Sequence, residues 1–198
     1  MTYTKLEKIN MRNFLKIGGE LNVMPLLMAL ARKPELWRED TYLRDYPQGP
    51  FGDIDSIILR FPKRIVAATQ LEAEQHLLSN DQHESFDTPS YAQLPEARGL
   101  VMPLMSYVGG TRLGRVIINR IRQGGRITPH CDTPDHAEYY ERHHIVLQSS
   151  PGVVFRCEDE QVYMGTGEVW WFNNALEHEV INNSATDRIH LIVDARVA

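Results

Sequence analysis

From Arg115 to Ala195 the chain is divided into short apolar-rich runs, and their spacing leaves few folds open. RVIINRI (115–121), HHIVLQS (143–149), VVFRC (153–157), QVYM (161–164), VWWFNN (169–174), HEVINN (178–183) and RIHLIVDA (188–195) each read as a strand. QGGR, Pro151-Gly152, the acidic CEDE, GTGE and Ser184 to Asp187 read as the turns between them, while ITPH carries the chain back after the first. No helix of crossover length intervenes between the strands, which argues against a doubly wound α/β sheet. The pattern predicts an antiparallel, mainly β sandwich or barrel.

The first half reads differently. LNVMPLLMALARK (21–33) has an apolar face with Pro25 near its start, where proline is tolerated, and Pro34 stops it. The alternative of an amphipathic membrane helix lacks the basic face it would need. The segment on to Pro50 reads as loop, with Trp37 and Tyr42 as packing residues. DIDSIILRFP (53–62) reads as a strand, and LEAEQHLLS (71–79) as a short helix with His76 at its surface. Residues 80–103 read as a long ordered loop. These helices precede the strands and are expected to cover one sheet.

Composition narrows the function. At 198 residues, 42% hydrophobic and 24% charged, the chain fits one ordinary globular domain. A formal charge of −5 argues against nucleic acid as a partner. Only five of the 21 basic residues are lysines, a bias compatible with acidic small molecules because arginine binds carboxylates bidentately. Cys131 and Cys157 make no disulfide scaffold, no signal-peptide plan opens the chain, and no apolar run approaches the roughly 18 residues of a membrane span. The expectation is a reduced, cytoplasmic protein without membrane attachment.

Within ITPHCDTPDH (127–136), His130 and Asp132 are two apart and project to one side of an extended segment. His178 begins a strand further on. Two imidazoles and a carboxylate form the facial set that holds non-haem Fe(II) and leaves positions open. Arg188 opens the strand after His178, and antiparallel pairing sets it deeper in a barrel. A buried arginine there needs an anion to offset its desolvation. Alternation in RIHLIVDA puts Arg188 and His190 on the interior face and Ile189, Leu191 and Val193 towards the helices. The same alternation around HHIVLQS predicts that only one of His143 and His144 is buried. A competing all-histidine site would use one of these two in place of Asp132. His136 is expected in a loop with no part in the site, Cys131 to point away from it, and Asn173 to support a turn or reach it. Trp171 should face opposite to Trp170 and Phe172. Glu177 and Glu179 are given no catalytic role, and the arginines 120, 122 and 126 are read as a solvated face. Tyr107, Asp81, His83 and Asp87 could line the mouth by position in irregular segments.

GGRITPHCD, RHHIVLQS, GEVWWFNNALEHEVINNS and RIHLIVDA, in this order and at these intervals, resemble the aspartyl/asparaginyl β-hydroxylase family of Fe(II)- and 2-oxoglutarate-dependent oxygenases. The resemblance implies a double-stranded β-helix (jelly-roll, cupin-like) with flanking N-terminal helices: residues 111–198 as the catalytic core and 1–110 as a helical and irregular elaboration of the same domain. It implies that His130, Asp132 and His178 hold the iron, that Arg188 binds the far carboxylate of 2-oxoglutarate, and that Arg142 and His144 contact the cosubstrate. Asp132 stands where animal members carry glycine, which places the chain nearer the bacterial members. The implied activity is hydroxylation of an amino-acid side chain, free or within a peptide, using O2 and releasing succinate and CO2. Two other classes compete: a cupin-type metal-binding isomerase or small-molecule module, in which Arg188 would have no inward task, and a metal-free jelly-roll, in which the three ligands would not converge.

Overall fold

The computed structural model describes residues 12–45, 49–64, 69, 75 and 81–197. Its strands are β1 (Phe14–Gly18), β2 (Ile54–Phe61), β3 (Phe86–Asp87), β4 (Gly110–Ile121), β5 (Arg126–His130), β6 (Glu141–Gln148), β7 (Val153–Cys157), β8 (Glu160–Val162), β9 (Val169–Phe172), β10 (His178–Asn182) and β11 (Arg188–Val197). They form a seven-stranded sheet, ordered β1-β9-β6-β11-β4-β2-β3, and a four-stranded sheet, ordered β5-β10-β7-β8. From β4 to β11 the chain crosses repeatedly between the two sheets, and every pairing is antiparallel. That winding is the double-stranded β-helix, or jelly-roll.

Strand parity divides the larger sheet into two faces. Ile189, Leu191 and Val193 of β11, with Val116 and Ile118 of β4 and Ile145 and Leu147 of β6, pack under Leu26, Leu30, Trp37, Leu100 and Leu104 of the helical layer. The opposite face, with Val146, Trp170 and Phe172, meets Phe155 and Val180 of the smaller sheet and encloses the barrel interior. Each face buries its own apolar set, so the central strands carry almost no exposed residue; in β11, positions 188 to 195 are all buried. This corrects one expectation. Both His143 and His144 are buried, because β6 lies in mid-sheet between β9 and β11 with its two faces covered, one by helices and one by the smaller sheet.

The helix expected over 21–33 spans Met24–Arg32, with proline in its first turn and Leu26, Ala29 and Leu30 buried. The loop expected on to Pro50 contains two single helical turns, Leu36–Glu39 and Tyr42–Asp45. Trp37 packs as expected, but Tyr42 is largely exposed and lies edge-on to Phe61. Apart from Gln75, the helix expected over 71–79 lies outside the described residues. The long loop expected over 80–103 is corrected: it holds helices Pro89–Gln93 and Arg98–Val108 joined by a 3-10 turn. Gly99 and Pro103 obscure the second helix in the sequence, yet Leu100, Val101, Leu104 and Met105 form a buried face that compensates for both breakers. Gly109, at φ 68°, ends it in the left-handed conformation.

Candidate metal centre and anion pocket

The β5–β10 register sets His130 directly opposite His178, so the two imidazoles share a face at the barrel mouth. Their ring centroids are 4.3 Å apart. Asp132 follows His130 on extended backbone, and its amide donates to the carbonyl of Asn174 at 3.1 Å. One ligand atom from each of His130, Asp132 and His178 lies within 4.8 Å of the other two. A two-histidine, one-carboxylate cluster is therefore present, whereas the metal-free alternative expected the three residues not to converge.

The hydrogen bonds around the cluster leave one ligand-capable atom of each residue free. His130 Nδ1 donates to Thr128 O and His178 Nδ1 to Leu176 O, each at 2.8 Å. A carbonyl only accepts, so both rings carry their proton on Nδ1 and turn the Nε2 lone pair to the cluster. Burial lowers the pKa of both imidazoles, that of His178 to about 4, which keeps them neutral. Asp132 Oδ2 accepts from Arg142 Nη1 at 2.5 Å and from Asn174 Nδ2 at 2.7 Å, leaving Oδ1 available. Burial alone would raise this carboxyl, but the Arg142 charge and the Asn174 amide more than offset it and hold it ionised.

Behind Asp132 lies a second carboxylate that sequence reasoning missed. Asp194 is fully buried on β11, paired in register with Arg142 of β6. It accepts from Arg142 Nε at 2.8 Å and Nη2 at 3.0 Å, and His136 Nε2 stands 2.7 Å from it. Its pKa is driven far down: burial opposes ionisation, but Arg142 and His136 overcome that. His136 is thus corrected. It belongs to helix Pro134–Tyr139, is buried, and braces the group that braces a cluster residue. Asn174, rather than Asn173, is the asparagine that reaches Asp132. The available signal for Asp194 was its parity with Arg188, His190 and Ile192, which puts an aspartate on the interior face.

Deeper in the barrel, Arg188 is 1% exposed and, among the described residues, has no carboxylate beside it. Its Nη2 donates to His190 Nδ1 at 2.9 Å, and His144 Nδ1 stands 3.1 Å from that same nitrogen. His190 Nδ1 can accept from both, so His144 carries its proton on Nδ1 and His190 on Nε2. Arg188 Nε and Nη1, His190 Nε2 and His144 Nε2 are buried without partners. Burial alone lowers the Arg188 pKa to about 9. Arg188 Nε and Nη1 and His190 Nε2 are thus orphaned donors around an uncompensated cation, which an anion would complete, while His144 Nε2 is an orphaned acceptor.

Arg142 and His144 line a small inner cavity of about 100 Å³ together with the three cluster residues, Phe155 and Phe172. His143 lies on the opposite strand face, and His144, though it lines the same cavity, does not belong to the converging set of His130, Asp132 and His178, so the all-histidine alternative gains no support. A wider cleft of about 790 Å³ opens outside the cluster, and His83 lines it while Asp81 is bound by Arg112 and Asp87 by Arg60 and Arg98. Glu177 and Glu179 pair with Arg156, not with His178. Arg120 and Arg122 pair with Asp55 rather than forming a purely solvated face. Cys131 is exposed and Cys157 is buried, and both are free thiols.

A jelly-roll carrying this cluster defines a class shared by oxygenases and cupins. The model of the aspartyl/asparaginyl β-hydroxylase family matches residues 69–197, and the chain belongs to that family. It is 29% identical over 121 residues to an L-proline cis-4-hydroxylase of Rhizobium meliloti (strain 1021), an alignment covering 61% of this chain and 42% of that one; the chain thus spans under half of that relative's length. Among solved structures it is similar to a Pseudomonas putida prolyl-4-hydroxylase, at 14% identity and TM-score 0.46 over 94% of this chain and 93% of the other. It is also similar to a Burkholderia pseudomallei oxidoreductase of the 2OG-Fe(II) oxygenase family, at 18% identity and TM-score 0.44 over 72% and 66%. No helix among the described residues is long and apolar enough to cross a membrane.

Proposed function

We propose that the protein is an Fe(II)- and 2-oxoglutarate-dependent oxygenase that hydroxylates an amino-acid side chain, free or within a peptide, and releases succinate and CO2. The observation that carries this reading is Arg188: a buried guanidinium with two unpartnered nitrogens, enclosed by the barrel that also holds the cluster. A cupin-type isomerase or binding module would leave that cation without a purpose.

In this reading Nε2 of His130, Nε2 of His178 and Oδ1 of Asp132 hold Fe(II), and three protein ligands leave room for cosubstrate and O2. The bound metal and 2-oxoglutarate together supply the oxidising power for C–H hydroxylation. The protein binds, orients and excludes water. Arg188 takes the far carboxylate of 2-oxoglutarate. His144 and Arg142 line the cosubstrate pocket, and Arg142 also fixes the free oxygen of Asp132 towards the metal. Residues 111–198 carry the chemistry, and the preceding segment supplies the outer wall of the cleft through Tyr42, Phe51 and Phe61.

Incubation with Fe(II), 2-oxoglutarate and a panel of amino acids and peptides, reading succinate and products heavier by one oxygen atom, tests the activity. The similarity to an L-proline hydroxylase makes L-proline the first compound to assay. His178→Ala is expected to lose both iron binding and turnover; iron retained at wild-type occupancy would contradict the ligand set.

A further inference from the structure

Arg115 stands on β4 two residues from Ile117 and four from Asn119, so all three share the barrel face. It lines both the inner cavity at the cluster and the outer cleft that opens from it. Among the described residues it makes no hydrogen bond or ion pair, and its Nε is buried without an acceptor. Its guanidinium lies 5.0 Å from the Phe61 ring centroid, a stacking that leaves in-plane N–H groups available. Burial lowers its pKa, as expected of a cation short of counter-charge.

Charge accounting separates Arg115 from the other two interior arginines. Arg142 is saturated by Asp132 and Asp194. Arg188 lies deeper, beside His144 and His190, and does not line the outer cleft. Asp132 and Asp194 are the acidic groups facing Arg115 at longer range, and both are already engaged by Arg142. Arg115 therefore holds unused positive charge between the cluster and the space where a substrate would enter. Phe51, Phe61 and Leu43 beside it offer apolar surface for an aliphatic body.

We propose that Arg115 binds a carboxylate of the prime substrate, so that the site selects small molecules with a free carboxylate, such as free amino acids, over their neutral amides. This rests on the oxygenase reading above and names its substrate class. The prediction separates two carboxylates: Arg188 takes the cosubstrate's and Arg115 the substrate's.

The experiment compares wild type, Arg115→Gln and Arg115→Lys, each loaded with Mn(II) and 2-oxoglutarate, against the common amino acids and their C-terminal amides. Binding is read by calorimetry, and succinate release is read separately with Fe(II). Wild type is expected to prefer at least one acid over its amide by about 30-fold, the scale of a charge-assisted contact. Arg115→Gln should bring that ratio near one while Mn(II) and 2-oxoglutarate still bind, and Arg115→Lys should retain part of it. Equal binding of acids and amides by wild type would overturn the proposal, as would absence of any acid-selective binding. So would loss of 2-oxoglutarate affinity in Arg115→Gln as large as in an Arg188 variant, since Arg115 would then serve the cosubstrate. Equal binding by wild type overturns the proposal whether or not Arg115→Gln folds. If it does not fold, Arg115→Lys carries the assignment: a wild-type acid-to-amide ratio in that variant would place the contact elsewhere in the cleft. Failure of the oxygenase reading looks different: wild type would bind neither Mn(II) nor 2-oxoglutarate.

Discussion

The mouth of the barrel and its depth treat buried charge in opposite ways. At the mouth, Arg142 lies between Asp132 and Asp194, His136 closes the far side, and each guanidinium nitrogen has a partner. Its pKa is raised: burial opposes the charge, but the two carboxylates overcome that penalty. In the depth, Arg188 has two histidines for company and no counter-charge, and its pKa falls. One network is completed by the chain itself. The other is built short of one anion. A fold tolerates such an incomplete network only where something else completes it, which makes the deficit informative about ligand charge.

That contrast can be broken at either end, and the largest effect is expected at the mouth. Asp194→Ala removes one partner of a buried pair and leaves Arg142 under-compensated, which should cost about 3–5 kcal/mol in chemical denaturation. A loss below about 1 kcal/mol would mean the network is not the brace it is taken for.

Arg188→Met should behave in the reverse sense. Without ligand the variant is expected to be as stable as wild type or more so by about 1–2 kcal/mol, because an uncompensated buried cation is replaced by an apolar chain of similar length. With Mn(II) and 2-oxoglutarate at 100 times its dissociation constant, wild type should gain about 2.7 kcal/mol and the variant should gain nothing from the cosubstrate at that concentration. Equal stabilisation of the two proteins would remove Arg188 from cosubstrate binding. The smallest effect is expected at Asn174. Asn174→Ala leaves Arg142 on Asp132 and removes only the amide contact, so metal affinity should fall about tenfold with the fold intact. Equilibrium dialysis with Mn(II) measures it.

The strands from β4 onward were legible because each alternates or is bounded by Gly, Pro, Asn or Asp turns, which are local signals. The residue types and order of His130, Asp132, His178 and Arg188 were legible, but hairpin order did not fix their neighbours. His130 meets His178 across β5 and β10, which are far apart in sequence, and the pairing expected between the His178 and Arg188 strands does not form, because β10 and β11 lie in different sheets. Asp194 and His136 were not legible. Their partnership with Arg142 depends on the β6–β11 register and on a one-turn excursion of the chain after β5, neither of which has a local signature. His143 shows the same limit, since alternation reports which face a side chain takes and not what covers that face. The helix Arg98–Val108 was hidden by a proline and a glycine that only tertiary burial outweighs. Arg115 is an ordinary strand residue in the sequence, and becomes notable only when its side chain is seen to make no hydrogen bond or ion pair among the described residues.

In β11, position parity separates two kinds of inheritance. Arg188, His190, Ile192 and Asp194 look into the barrel, whereas Ile189, Leu191, Val193 and Ala195 anchor the helical layer. The odd-numbered positions hold the strand to the helices, while the even-numbered ones serve the interior, Asp194 by bracing Arg142 and Arg188 as a cation without a counter-charge among the described residues. The same strand cannot drift by one residue without exchanging the two sets entirely, burying charge under the helices and emptying the pocket of it. Register thus ties the chemistry of the interior to the packing of the fold: a single strand sets both, and neither survives a one-residue slip.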